Sequence, residues 1–141
     1  MDVSTRVGAA TIFVWLGMVL AISFLEAPLK FRAPGVTVPI GLGIGRLVFR
    51  ALNIVELILA ATLMLGLLID VPPPRVLVAA TVTIGVLLIQ VAILRPALAR
   101  RSNRVLAGEV VARSGAHYWY VSLEVAKVVA LIATGALLQA L

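Results

Sequence analysis

The sequence predicts an all-α protein: a bundle of four transmembrane helices with both termini on the non-cytoplasmic side. Three observations carry that reading. Hydrophobic residues make up 62% of the chain and charged residues 13%, with a mean hydropathy of +1.16; a soluble domain is about half apolar and about a quarter charged. Four apolar stretches each reach the roughly 20 helical residues that a bilayer crossing takes. The cations are distributed unevenly between the segments that join those stretches. A soluble domain of 141 residues would leave roughly a third of its chain surface exposed, too much for this apolar content to hide. The whole chain, 1–141, therefore reads as one integral membrane domain.

The spans are expected over about residues 8–29, 47–69, 76–94 and 118–141. The first is longer than a signal-peptide core, and Glu26 and Pro28 stand where a small-residue cleavage site would lie, so it reads as a retained helix. Ala33-Pro34-Gly35 and Pro39 are expected to break the chain after it. Gly41-Leu42-Gly43-Ile44-Gly45 lacks the dinucleotide-binding spacing and reads as a flexible or close-packed approach to the second span. Val71-Pro72-Pro73-Pro74 cannot continue a helix, which makes the second and third spans a tight antiparallel hairpin. Arg95-Pro96 marks the end of the third. Ala97 to Arg113 is helix-compatible and reads either as an extension lying against phospholipid headgroups or as a dock for an acidic partner.

Nine of the twelve Lys and Arg residues flank or occupy loops one and three. They are Lys30, Arg32, Arg46 and Arg50, then Arg95, Arg100, Arg101, Arg104 and Arg113. Arg6 and Arg75 belong to the other face, and Lys127 is inside the fourth span. The positive-inside rule then puts loops one and three in the cytoplasm and both termini outside, and the location expected is a cell inner membrane. The formal net charge of +6 is thus a topology signal and a contact with anionic lipid headgroups, not a nucleic-acid footprint. The absence of Cys excludes disulfides, thiolate catalysis and Cys-ligated metals.

Ionisable residues inside a span are costly and raise a functional question. Here they are Glu26 and Lys30, Glu56 beside Asn53, and Glu124 and Lys127; Gln90 adds a polar amide. Span direction places all seven in the cytoplasmic half, and leaves mainly Thr11, Thr62, Thr134 and Gln139 in the outer half. At about 100° per residue, Arg46, Arg50, Asn53 and Glu56 form one stripe along the second span. Glu26–Lys30 and Glu124–Lys127 have i,i+4 and i,i+3 pairing distances. Ser122, Ala126, Ala130 and Thr134 form a ladder of small residues, and Gly17 with Ala21 another, both suited to close helix approach. His117 and Tyr118-Trp119-Tyr120 read as an interfacial belt, with proton exchange between His117 and Glu124 open because i and i+7 share a face.

Two readings follow. In one, the pairs neutralise each other and fix register, with Glu56 taken by Arg46, Arg50 or a neighbouring helix. In the other, a water-accessible pocket open to the cytoplasm binds an ion, a proton or an anionic small molecule. Its candidate ligand-binding residues are Glu26, Lys30, Arg46, Arg50, Asn53, Glu56, Gln90, His117, Glu124 and Lys127. One His cannot build a His-rich metal site, so no metal or cofactor is expected, and no catalytic residue is assigned. The function expected is that of a small membrane protein assisting transport or serving as a complex subunit, as a homo-oligomer or with partners; a membrane enzyme is the alternative.

Two resemblances attach to these residues. Trp15-x-Gly17, Glu26-Ala27-Pro28-x-x-Phe31 and Gly45-Arg46-x-x-Phe49 resemble the small bacterial tetraspan proteins of the "transmembrane protein 205-like" kind. That resemblance implies a four-span architecture, a bacterial source and no defined activity. Arg46-x6-Asn53-x2-Glu56 is similar to the second-helix signature of the membrane-associated proteins in eicosanoid and glutathione metabolism. This implies a four-helix trimer whose Arg46, Asn53 and Glu56 would help bind glutathione between subunits. Arg50-Ala51 departs from that pattern by one residue, about 100° on the helix, and the family's fourth-helix Arg/Tyr pattern is absent.

Overall fold

The computed structural model describes residues 2–110 and 115–141, so Arg113 and the last turn of the loop-three reading lie outside the described residues. Four helices are long and apolar enough to cross a membrane: α1 (Val3–Arg32), α2 (Val38–Ile69), α3 (Pro74–Leu106) and α4 (Gly115–Gln139). No strand occurs among the described residues. The fold is that of a multi-pass, all-α membrane protein.

α1, α2 and α3 have 30, 32 and 33 residues, or about 45–50 Å at 1.5 Å per residue. That exceeds the roughly 30 Å hydrocarbon core, so each outruns the apolar stretch read from the sequence. Pro39 does not break the chain as expected. It falls in the first turn of α2, where the N–H it lacks would have no intrahelical partner, and Thr37 caps that turn by accepting from the Ile40 N–H at 3.4 Å. Nor does Arg95-Pro96 end the third span; the helix runs on to Leu106.

Two prolines are carried inside long helices, and the same device carries both. Pro28 follows a π-helical stretch at Leu20–Glu26, and Pro96 follows one at Gln90–Leu94. The Ala27 N–H donates to the Ile22 carbonyl and the Arg95 N–H to the Gln90 carbonyl, each five residues back. A proline removes one i→i−4 bond and crowds the carbonyl four residues before it. The wider turn absorbs both defects without ending the helix. Pro28 thus stays within the first span as expected, whereas the stop expected at Arg95-Pro96 does not occur, because the wider turn before it lets the helix continue.

The bundle is antiparallel. α1 packs between α2 and α4, and α3 packs mainly on α4. The short link between α2 and α3 does not make them a tight hairpin: they touch little along their length, and α3 leans back on α2 only through its last turns, Arg95–Leu106. Each helix turns its packing face elsewhere. The core takes Ala9, Ile12, Trp15 and Val19 from α1, Ala60 and Leu63 from α2, Val76, Ala80 and Leu87 from α3, and Leu131 and Leu138 from α4. Spacings of three, four and seven residues put each set on one helix face. The opposite faces are also apolar, with Leu65, Val78 and Val129 exposed, as lipid contact requires.

Close approach between α1 and α4 occurs at Gly135, where a Cβ would stand 2.9 Å from Phe13 Cζ and 3.2 Å from Ile12 Cγ2. The small-residue ladder divides: Ala130 and Thr134 are buried, while Ser122 and Ala126 are exposed. Thr11, Thr62, Thr83 and Thr134 each donate to the carbonyl four residues back, so they satisfy themselves within their helices. Both termini and the Asp70–Pro73 link share one end, where the Ser4 hydroxyl donates to the Gly66 carbonyl at 3.3 Å. The opposite end carries the residues between α1 and α2 and most of the arginines; it is called the basic end below.

Candidate functional site

All four helices contribute to one buried polar network. Trp15 comes from α1, Glu56 from α2, Gln90 from α3, and Glu124 with Lys127 from α4. The Lys127 ammonium lies 2.6 Å from Glu56 Oε2 and 2.7 Å from Glu124 Oε1, and donates to Gln90 Oε1 at 2.9 Å. The first two are ion-pair contacts and the third is a hydrogen bond, so the ammonium is surrounded by three oxygens. Gln90 turns its amide the other way to donate to the Tyr120 carbonyl at 3.3 Å. That orientation is forced, because only the amide oxygen can accept from a lysine. The Trp15 indole N–H donates to Glu56 Oε2 at 2.7 Å, and the Ser23 hydroxyl to Glu124 Oε2 at 3.2 Å. Glu56, Gln90 and Lys127 are fully buried and Glu124 is 2% exposed.

Charges buried this far from water are tolerated only when paired and hydrogen-bonded. Here two carboxylates face one ammonium. Glu56 Oε1, Glu124 Oε1 and the Tyr120 hydroxyl are also buried without a hydrogen-bond partner. The network thus sets one cation against two carboxylates, and one oxygen of each carboxylate has no hydrogen bond.

Over this network, at the basic end, lies an open cleft of about 1180 Å³. Lys30, Arg46, Arg50, Arg95 and Arg101 line it, and Glu124 is its one acidic lining residue among those described. Arg95 is positioned by two rings: its guanidinium carbon is 5.0 Å from the Phe49 ring centre and 5.5 Å from that of Tyr120. Lys30 lies 5.6 Å from the ring centres of both Phe31 and Phe49 and 3.7 Å from Glu26. Rings beneath cations hold them in place and favour them electrostatically. Gly41 belongs to the same wall, since the Phe31 ring occupies the space a Cβ would need. The glycine run is therefore a helical start to α2, close-packed at Gly41 and open at Gly43.

The ten sequence-derived candidates separate into two groups. Glu56, Gln90, Glu124 and Lys127 meet in the network. Lys30, Arg46, Arg50, Asn53 and His117 line the cleft, Glu26 pairs with Lys30 behind it, and Glu124 belongs to both places. The Arg46–Asn53–Glu56 stripe is divided: Arg46 and Asn53 face the cleft, while Glu56 is taken by Trp15 and Lys127. Tyr120 corrects the belt reading, being buried while Tyr118 and Trp119 are exposed. Consecutive residues are turned by about 100° around a helix, so Tyr118, Trp119 and Tyr120 cannot all share the outer face that a belt requires.

Sequence reasoning missed Trp15, Ser23 and Arg95 as site residues. A signal for Trp15 was present: an indole N–H in mid-span has no lipid partner and needs one from the protein. Among the described residues, no group of three or more His, Asp or Glu is placed to hold a metal ion. Comparison with family models, with characterised proteins and with solved structures finds no match to this chain.

Proposed function

We propose that this chain is a bacterial inner-membrane protein that binds an anionic ligand in the cation-lined cleft, from the cytoplasmic side, in the service of transport. The observation that supports this reading is the charge of the cleft wall: Arg46, Arg50 and Arg95 line it, while Glu124, its one acidic lining residue among those described, is already paired with Lys127. Its sidedness follows from the concentration of arginines at the basic end and the positive-inside rule, which leaves both termini outside. The buried network is a rigid floor: it cross-links all four helices beneath the cleft and fixes the distance between α2 and α4. Four helices enclose little of a transport path, so the working unit is a homo-oligomer or a larger membrane complex.

Titration of the purified protein with the fluorescent anion anilinonaphthalene sulfonate tests the reading. Affinity should fall with added salt, and about tenfold in the Arg46→Gln/Arg50→Gln double variant, the loss of one or two charge-assisted contacts. Equal affinity in variant and parent, with no salt dependence, refutes it.

A further inference from the structure

We infer that the occupant of the cleft is a single membrane lipid with an anionic headgroup. The head sits among Lys30, Arg46, Arg50 and Arg95, and one acyl chain lies along α2 toward Leu57. This rests on the anion-binding reading above and commits it to one source of anion, the surrounding bilayer.

The cleft is polarised along its length. Its cations stand at the mouth, where Arg46 and Arg50 are exposed and Arg95 is held by the Phe49 and Tyr120 rings. A guanidinium offers a phosphate two parallel N–H donors, which suits these positions to a phosphodiester. Deeper in, the walls turn apolar while staying accessible: Ile54 is 51%, Leu57 39% and Val121 43% exposed, and all three line the cleft. From Gly41 to Leu57 the cleft follows α2 for about 24 Å at 1.5 Å per residue. That exceeds the ~15 Å of hydrocarbon in one leaflet, so the cleft runs from headgroup level into the acyl region. Asn53 lies one turn or so below Arg50 and lines the same wall, at the level where ester carbonyls would seek a donor.

A small soluble anion would fill only the mouth and leave the apolar walls uncovered. An acyl chain fills that space; wall and chain are both already out of water at this depth, so the contact gains by close van der Waals packing, and the charge at the mouth selects which lipid is held. The order of the lining sets the orientation. Arg46, Arg50 and Arg95 stand at the mouth and Ile54, Leu57 and Val121 farther in, so the ligand enters with its charge at the mouth and its tail inward.

The experiment uses the full chain reconstituted in zwitterionic lipid with a trace of anionic phospholipid carrying a photoreactive group on its tail; cross-linked residues are mapped by mass spectrometry. Labelling should concentrate on Ile54, Leu57 and Val121. It should drop about tenfold in Arg46→Gln/Arg50→Gln, and drop again in Leu57→Trp, which fills the inner cleft and leaves the charges untouched. Labelling spread evenly over the outer faces, with equal yield from a zwitterionic probe, overturns the proposal. Glycerol phosphate, a headgroup without tails, separates the two readings. If it binds the cleft and displaces the fluorescent anion while the lipid probe does not label there, the lipid assignment falls and the anion site stands. If neither binds, both fall.

Discussion

Lys127 meets Glu56, Glu124 and Gln90 with no exposure to solvent, and its removal would leave two carboxylates facing each other. Breaking a buried ion pair from one side costs about 3–5 kcal/mol, so Lys127→Met should lower stability by that amount in a detergent-unfolding titration. Glu56→Gln should cost only about 1 kcal/mol: its amide oxygen still accepts from Trp15 and Lys127, and one carboxylate then balances one ammonium. Equal losses in the two variants would show that charge balance does not govern the network. At the opposite end, Asp2 and Asp70 form an exposed carboxyl pair. The Thr5 N–H, donating to Asp2 at 2.7 Å, holds the Asp2 carboxyl below its ordinary range, while the hydrogen bond and negative charge of Asp2 push Asp70 up. The signs are opposite. Asp2 contributes stability above its unfolded value and loses it as pH falls through its folded one; Asp70 contributes below its unfolded value and loses it as pH rises through its folded one. Carboxyl-carbon NMR should therefore show Asp70 titrating above Asp2, and Asp2→Ala should bring Asp70 down. Coincident titrations would dissolve the pair.

At the scale of elements, the glycines differ by what surrounds them. Gly135 meets Ile12 and Phe13 across the α1–α4 contact, whereas Gly43 has no neighbour within 4 Å of where a Cβ would sit. Gly135→Ala should cost about 1–3 kcal/mol by overpacking, because Ile12 is fully buried and has nowhere to go. Gly43→Ala should be neutral or stabilise by up to about 1 kcal/mol, the helix-propensity gain. The same unfolding titration separates them, and a reversed order would place the tight contact elsewhere. The π-helical stretches also act here. Ser23 lies within the first and Gln90 opens the second, so the turns that accommodate Pro28 and Pro96 also carry two polar contacts of the network. The sequence displayed both prolines but gave no hint of the wider turns, because they arise from backbone geometry that residue identity does not encode locally.

For the whole molecule, charge asymmetry makes an orientation testable. The chain contains no Cys, so single replacements report cleanly. Ala33→Cys, between α1 and α2, should be shielded from a membrane-impermeant thiol reagent in intact cells, and Val71→Cys, between α2 and α3, should be labelled. The reverse pattern would invert the bundle and place the cleft outside. The same asymmetry explains why polar residues gather toward one end. A charge in a span costs less where a basic rim, a cleft and a partner helix lie within reach.

The sequence by itself determined the number of helices, their all-α class and the short set of ionisable residues that had to be accommodated. Those follow from one-dimensional quantities: apolar run length and the cost of a charge in hydrocarbon. It also made Glu26–Lys30 and Glu124–Lys127 legible, since both partners of each share one helix. Only the tertiary structure decided that Glu56 belongs to Lys127 and Trp15, that Tyr120 faces inward, and that α2 and α3 separate despite their short link. Each depends on the rotation of one helix against another. That rotation is set by packing summed over whole faces, and no local stretch of this chain contains it.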